Sequence, residues 1–269
     1  MRNVVKVYIV SMLLSLLTVS VPQSVSANID SLSSAINKAG RQRMLSQRMV
    51  ATYSQLGMDI QSKKSKAQLK EAIILFEQQL AELKIYKSKG EIHKQLNLVT
   101  ELWQPMKKIV SAPVNRSSVT ELRKQAEEVL KASHRVVLLL EKQSKTKSGR
   151  LVNISGRQRM LSQRISNLYM LQSWGFNESE YSVAHSRSVN EFRQALQELM
   201  SAPVNTAVIN KKLNKARKQF SVLEKSTRQK DGEFIPLMVK MSADKLLVIM
   251  NDITQDYDNL ARAEMISSR

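Results

Sequence analysis

The sequence predicts an all-α protein built as two tandem four-helix up-down bundles. Three observations carry that expectation. Glycine and proline are scarce, 7 and 5 in 269 residues, while Ala, Leu, Lys, Gln, Glu and Met are frequent. Apolar residues recur at three- and four-residue spacing, the period of amphipathic helices, with no run of alternating β-branched residues. The nine residues Gly40 to Arg48, Gly-Arg-Gln-Arg-Met-Leu-Ser-Gln-Arg, recur unchanged as Gly156 to Arg164, each copy preceded at the same distance by an asparagine, Asn37 and Asn153. Such an identity inside one chain marks a duplicated module. The duplication runs beyond the motif: at the same offset of 116 residues Phe76 aligns with Phe192, Leu80 with Leu196 and Leu83 with Leu199.

The chain opens on a segment that does not belong to the fold. Arg2 and Lys6 form a short basic region, Val7 to Val21 is apolar, Pro22 breaks it, and Val25-Ser26-Ala27 fits a small-residue cleavage site. The apolar run is shorter than the roughly 20 residues of a spanning helix, so residues 1–27 read as a signal peptide cleaved near Ala27. The mature protein is then expected in the periplasm. The sequence contains no cysteine, which excludes a lipid attachment site and a disulfide framework.

Two modules follow, 28–146 and 147–269. Helices are expected over 30–60, 65–87, 91–111 and 118–146 in the first, and over 149–174, 178–201, 205–229 and 234–263 in the second. Ser88-Lys-Gly90 supplies a stop. Ser118-Val-Thr-Glu121 and Asn177-Glu-Ser-Glu180 have the form of capping boxes. Pro113 and Pro203 each sit in Ser-Ala-Pro-Val-Asn, where proline ends the preceding helix. Asp231-Gly232 marks the turn before the last helix, and Pro105 is expected to kink or end the third. Four amphipathic helices joined by short links bury their stripes as a bundle.

On a helix at about 100° per residue, Leu45, Met49 and Leu56 cluster on one side, with Met44 at its margin. Gly40, Arg43 and Gln47 fall on another stripe, repeated as Gly156, Arg159 and Gln163. Glycine leaves room for a second helix to approach. If the two stripes face each other, Arg43 and Arg159 converge, and two guanidinium groups at a helix contact need a counter-charge. A small planar oxoanion such as nitrate or nitrite offers the charge, the flatness and the acceptors. Arg41, Arg48 and their repeats Arg157 and Arg164 lie nearer the core side and suit pairing with carboxylates. Asn37 and Asn153 lie there too, placed to bond backbone groups. The plainer reading is a duplicated helix whose arginines serve packing alone.

The string Asn-x-x-Gly-Arg-Gln-Arg-Met-Leu-Ser-Gln-Arg resembles the signature of the PilJ-type domain, the N-terminal sensor domain of type IV pilus methyl-accepting chemotaxis transducers. It is also similar to the P-box of periplasmic nitrate/nitrite sensor kinases. The resemblance implies four-helix bundles that bind nitrate between the first helices of two protomers. It places the ligand-contacting arginine on Arg43 and Arg159, with Gly40 and Gly156 permitting the close approach. Family members are typically membrane receptors. This chain shows two sensor-like modules and no kinase or signalling segment, so it is expected to report to a membrane-bound chemoreceptor, sensor kinase or cyclic-dinucleotide enzyme. The paired arrangement is open to two forms, an internal pseudo-dimer or a homodimer of equivalent modules.

Other chemistry is sparse. His93, His134 and His185 are isolated in sequence, so no metal site is expected. The 13 methionines stand at core spacing rather than as a copper motif. No nucleophile elbow, zinc-protease motif or phosphate loop is present, so neither an enzyme nor a cofactor is expected. The formal net charge of +19, or +17 without Arg2 and Lys6, attracts anions of any size, while export argues against a nucleic-acid partner. Two functions remain: a periplasmic sensor of a small oxoanion, or a ligand-free periplasmic adaptor whose lysine-rich surface meets a receptor or an anionic envelope surface.

Overall fold

A computed structural model describes residues 29–87, 89–144, 147–228 and 233–267. The signal-peptide segment 1–27, Ser88 of the expected stop and the Asp231-Gly232 turn lie outside the described residues. Eight α-helices follow in order: α1 (Leu32–Gly57), α2 (Ser62–Tyr86), α3 (Gly90–Ser111), α4 (Val119–Ser144), α5 (Lys147–Ser173), α6 (Ser179–Met200), α7 (Ala207–Ser226) and α8 (Pro236–Ser267).

Local chemistry sets their ends, partly by other means than the sequence suggests. Ser31 caps α1 by accepting from the Ser34 amide at 3.1 Å, and Thr206 caps α7 by accepting from the Ile209 amide at 3.2 Å. Ser118 does not open α4. It ends a 3-10 turn, Arg116–Ser118, that is capped instead by the Asn115 side chain on the Ser117 amide. Nor does Asn177 cap α6, whose N-cap is Glu178 with no side-chain bond. Pro105 does not end α3. The helix runs through, because Trp103 and Met106 on either side of the proline are buried in the core, and tertiary packing outweighs one missing backbone bond.

Within each module the helices pack as neighbours around a ring. α1 lies against α2 and α4, and α3 against α4; in parallel, α5 lies against α6 and α8, and α7 against α8. The cores match across the duplication. Phe76 stacks on Trp103 with centroids 4.3 Å apart, and Phe192 on Phe220 at 4.2 Å. Gln42 donates to the Phe76 carbonyl at 3.2 Å and Gln158 to the Phe192 carbonyl at 2.9 Å. Tyr53 and Tyr169, near the ends of α1 and α5, accept from the amides of Asn115 and Ile235 at 2.7 and 2.8 Å.

The most extensive helix contact is α1 against α5. Asp30, Asn37 and Arg48 meet Arg262, Asp258 and Asp244 in turn, so α8 runs antiparallel to α1. It also runs antiparallel to α5, whose Arg159 and Tyr169 meet Asn251 and Ile235. Hence α1 and α5 are parallel, related by an approximate two-fold axis, and the two modules meet within one polypeptide. This central position explains why α1 is buried on nearly every side, with 20 of its 26 residues buried. Its polar residues turn to its own backbone: Ser46 donates to the Arg43 carbonyl at 2.9 Å and Thr52 to the Arg48 carbonyl at 2.8 Å.

Candidate functional site: a buried arginine pair at the helix crossing

The duplicated motif sits where α1 crosses α5. A Cβ on Gly40 would stand 4.0 Å from the Cα of Gly156, 3.3 Å from Nη2 of Arg43 and 3.6 Å from Nη2 of Arg159. A Cβ on Gly156 would stand 3.2 Å from Nη2 of Arg159 and 3.6 Å from Nη2 of Arg43. The two glycines therefore open the space into which both guanidinium groups fold back, one turn toward the N-terminus of their own helices.

Both arginines are almost wholly removed from solvent, Arg43 at 1% and Arg159 at 0% exposure. Arg43 donates through Nη1 to His134 Nδ1 at 3.0 Å and through Nη2 to the Asn153 side chain at 2.8 Å. A guanidinium only donates, so Nδ1 of His134 accepts and the ring is neutral with its proton on Nε2. Arg159 donates to the Asn251 side chain at 3.2 Å and to the Asn37 carbonyl at 3.1 Å. The Nε groups of both are buried without a protein partner. Among the described residues, neither arginine lies in an ion pair.

Negative charge stands one residue further out. Asn153 bonds Glu141 while holding Arg43, and Asn37 bonds Asp258 at 3.4 Å while its carbonyl holds Arg159. The asparagine side chains thus meet carboxylates and an arginine rather than the backbone groups expected from the sequence. That relay is too remote to offset burial. Desolvation, and next the positive field of Arg157, lower the Arg43 guanidinium to about 9. Burial, then Arg41 and Arg43, hold Arg159 well below the usual arginine range. His134 is lowered to about 4 by burial, then by Arg43 and Arg157.

The remaining motif residues hold the crossing together. Arg48 reaches across to Asp244 at 3.0 Å, and Arg164 reaches across to Glu127 at 2.9 Å, each arginine pairing with a carboxylate of the other module. Glu127 also accepts from Arg123 and Gln47; burial, the largest single influence, pushes its carboxyl up, but the charges of Arg123 and Arg164 together with these hydrogen bonds hold it below the usual range. Gln47 and Gln163 sit further along the helices. Gln47 is bonded by Glu127 and Asn167, and Gln163 by Arg48 and the Ala243 carbonyl. Arg157 is exposed and paired with Glu191 at 2.9 Å, whereas Arg41 is half-buried near Glu82. Two residues at the site were not evident in sequence: His134 and Asn251, which occupy equivalent places on α4 and α8. A one-residue change in the repeat offset, from 116 to 117, hides their equivalence.

Among the described residues, no helix is long and apolar enough to cross a membrane. No curated protein and no solved structure matches the chain. The PilJ family, described as type IV pili methyl-accepting chemotaxis transducer N-term, matches residues 25–133, a span that contains α1 to α3, most of α4, and the first arginine motif. Over those residues the chain is similar to the PilJ-type domain of chemotaxis transducers.

Proposed function

We propose that this protein is a periplasmic sensor of a small oxoanion, nitrate or nitrite, built from two PilJ-type modules, 28–146 and 147–269, and reporting to a membrane-bound chemoreceptor. The observation that carries the reading is the pair Arg43 and Arg159: two fully buried guanidinium groups turned toward one point, with no carboxylate in contact. Burying an uncompensated charge is strongly unfavourable. An anion between the two would supply the missing charge and accept from donors that the protein leaves unpaired, the Nε groups included. Gly40 and Gly156 set the depth of the approach, Asn37 and Asn153 orient the arginines, and Arg48 and Arg164 fix the crossing through their ion pairs. The proposed chemistry is binding: the motif turns hydrogen-bond donors toward the crossing, and its serines Ser46 and Ser162 are bonded to their own helix backbone.

Occupancy would remove the repulsion between the arginines and favour one arrangement of α1 against α5, which is what a sensor requires of its ligand. Isothermal titration calorimetry of the purified protein with nitrate and nitrite, chloride as control, tests this. Saturable binding of one anion per chain, abolished in Arg43→Ala/Arg159→Ala, is the expected result. A folded helical protein that gives no heat with either anion sinks the oxoanion reading and leaves the adaptor function.

A further inference from the structure

The duplication creates two equivalent clefts, and they differ in the charged groups that line them. One cleft lies between α4 and α6 over α5. It is a cavity of about 210 Å3 lined by, among others, Arg43, His134, Leu130, Met160, Leu161 and Arg187. Its counterpart lies between α8 and α2 over α1, where Asn251, Leu247, Met44, Leu45 and Glu71 stand at the matching positions. Arg187 of the first cleft is thus replaced by Glu71 in the second, and His134 by Asn251. Arg43 lines the first cleft, but Arg159 does not line the second. In the second cleft Asp244 accepts from Arg48, Gln68 and Lys240, while Arg41, Lys64 and Lys245 line it beside Glu71 with no buried guanidinium at its floor.

The first cleft keeps two guanidinium groups without an ion pair among the described residues. Arg43 is buried at its floor and Arg187 is exposed at its mouth, while its other arginines, Arg157 and Arg164, are taken by Glu191 and Glu127. Between floor and mouth the wall is apolar, formed by Leu130, Met160 and Leu161. We propose that this cleft binds a small dicarboxylate, one carboxylate reaching Arg43 and the other Arg187, with the carbon spacer against the apolar wall. The inference rests on the reading of Arg43 as an anion-gripping group. The cavity is smaller than the roughly 300–1,000 Å3 of drug-sized sites yet several times the roughly 30 Å3 share of one water. A short diacid fits that range, and two separated cations with an apolar span between them match two separated charges on a hydrocarbon.

The test is calorimetry of the purified protein with succinate, against butyrate, inorganic phosphate and nitrate. A second variant, Arg187→Glu, installs at the mouth the residue that the equivalent cleft carries. It alters an exposed side chain and so leaves folding intact. Saturable succinate binding, at least about tenfold tighter than butyrate or phosphate and weakened at least about tenfold by Arg187→Glu, is expected from losing one charge-assisted contact, with nitrate binding unchanged in the variant. Absent succinate binding, or succinate bound equally by Arg187→Glu, overturns the dicarboxylate site. Nitrate bound without succinate removes this inference and leaves the oxoanion sensor; succinate bound without nitrate does the reverse.

Discussion

The Arg43 guanidinium donates to the Asn153 side chain at 2.8 Å across the α1–α5 crossing, and the reciprocal arm, Arg159, donates to the Asn37 carbonyl at 3.1 Å. Arg43 and Arg159 are therefore each held by the asparagine that precedes the other copy. The two copies form one site, and neither copy alone encloses it.

Replacing Arg43 by methionine removes a buried cation that has no ion-pair partner. In the absence of an anion the variant is expected to be about 1–3 kcal/mol more stable than the parent, measured by urea denaturation. Added nitrate should raise the parent's midpoint and leave that of Arg43→Met unmoved. A loss of stability in anion-free buffer would show that the arginine is a structural tie.

Stability should fall on acidification through His134. Its pKa is about 4 in the folded protein against an ordinary 6.5. Between those values the unfolded chain binds the proton and the folded one does not, so stability is lost as pH drops from 6.5 to 4 and is flat below. Solvent screening at this half-buried ring brings the loss to about 1–2 kcal/mol. His134→Asn, which copies Asn251, should remove this part of the pH profile in denaturation curves recorded between pH 4 and 7.

Glu127 binds Arg123, Arg164 and Gln47 together. Glu127→Gln leaves the buried Arg123 and the half-buried Arg164 without their carboxylate and should cost about 2–4 kcal/mol. The test is thermal or chemical unfolding at low and high salt. A cost near that of an exposed pair, below about 1 kcal/mol, would mean that solvent satisfies the arginines.

At the far end of the crossing, a Cβ on Gly57 would clash with the ring of Trp174. Gly57→Ala should destabilise by about 1–3 kcal/mol through overpacking, and Gly57→Ala/Trp174→Leu should recover most of it. Equal stability of the two variants would show that the ring moves aside without cost.

The helical architecture was legible because it is written in periodicity and in the repeat, both properties of neighbouring residues. The convergence of Arg43 and Arg159 was legible for the same reason, since Gly40 and Arg43 share a stripe one turn apart. The pairing of Arg48 with a carboxylate followed from its place on the helix, but its partner Asp244 lies 196 residues away and no local pattern points to it. His134 and Asn251 were hidden because their role is set by which face of α4 and α8 packs on the motif helices. The capping at Asn115 departs from the local pattern where packing against Tyr53 takes over, and α3 continues past Pro105 where Trp103 and Met106 are buried beside it.

Placing both halves of the crossing in one polypeptide also frees the site from mass action. A site shared by two separate molecules dissolves on dilution, and its occupancy then reports protein abundance as well as ligand. Tethered halves meet at an effective concentration on the order of millimolar or above, however few copies the cell makes. Under the proposed sensor function, the response at each ligand level would then be set by affinity alone, and a cell could change the copy number of this protein without shifting the concentration at which it responds.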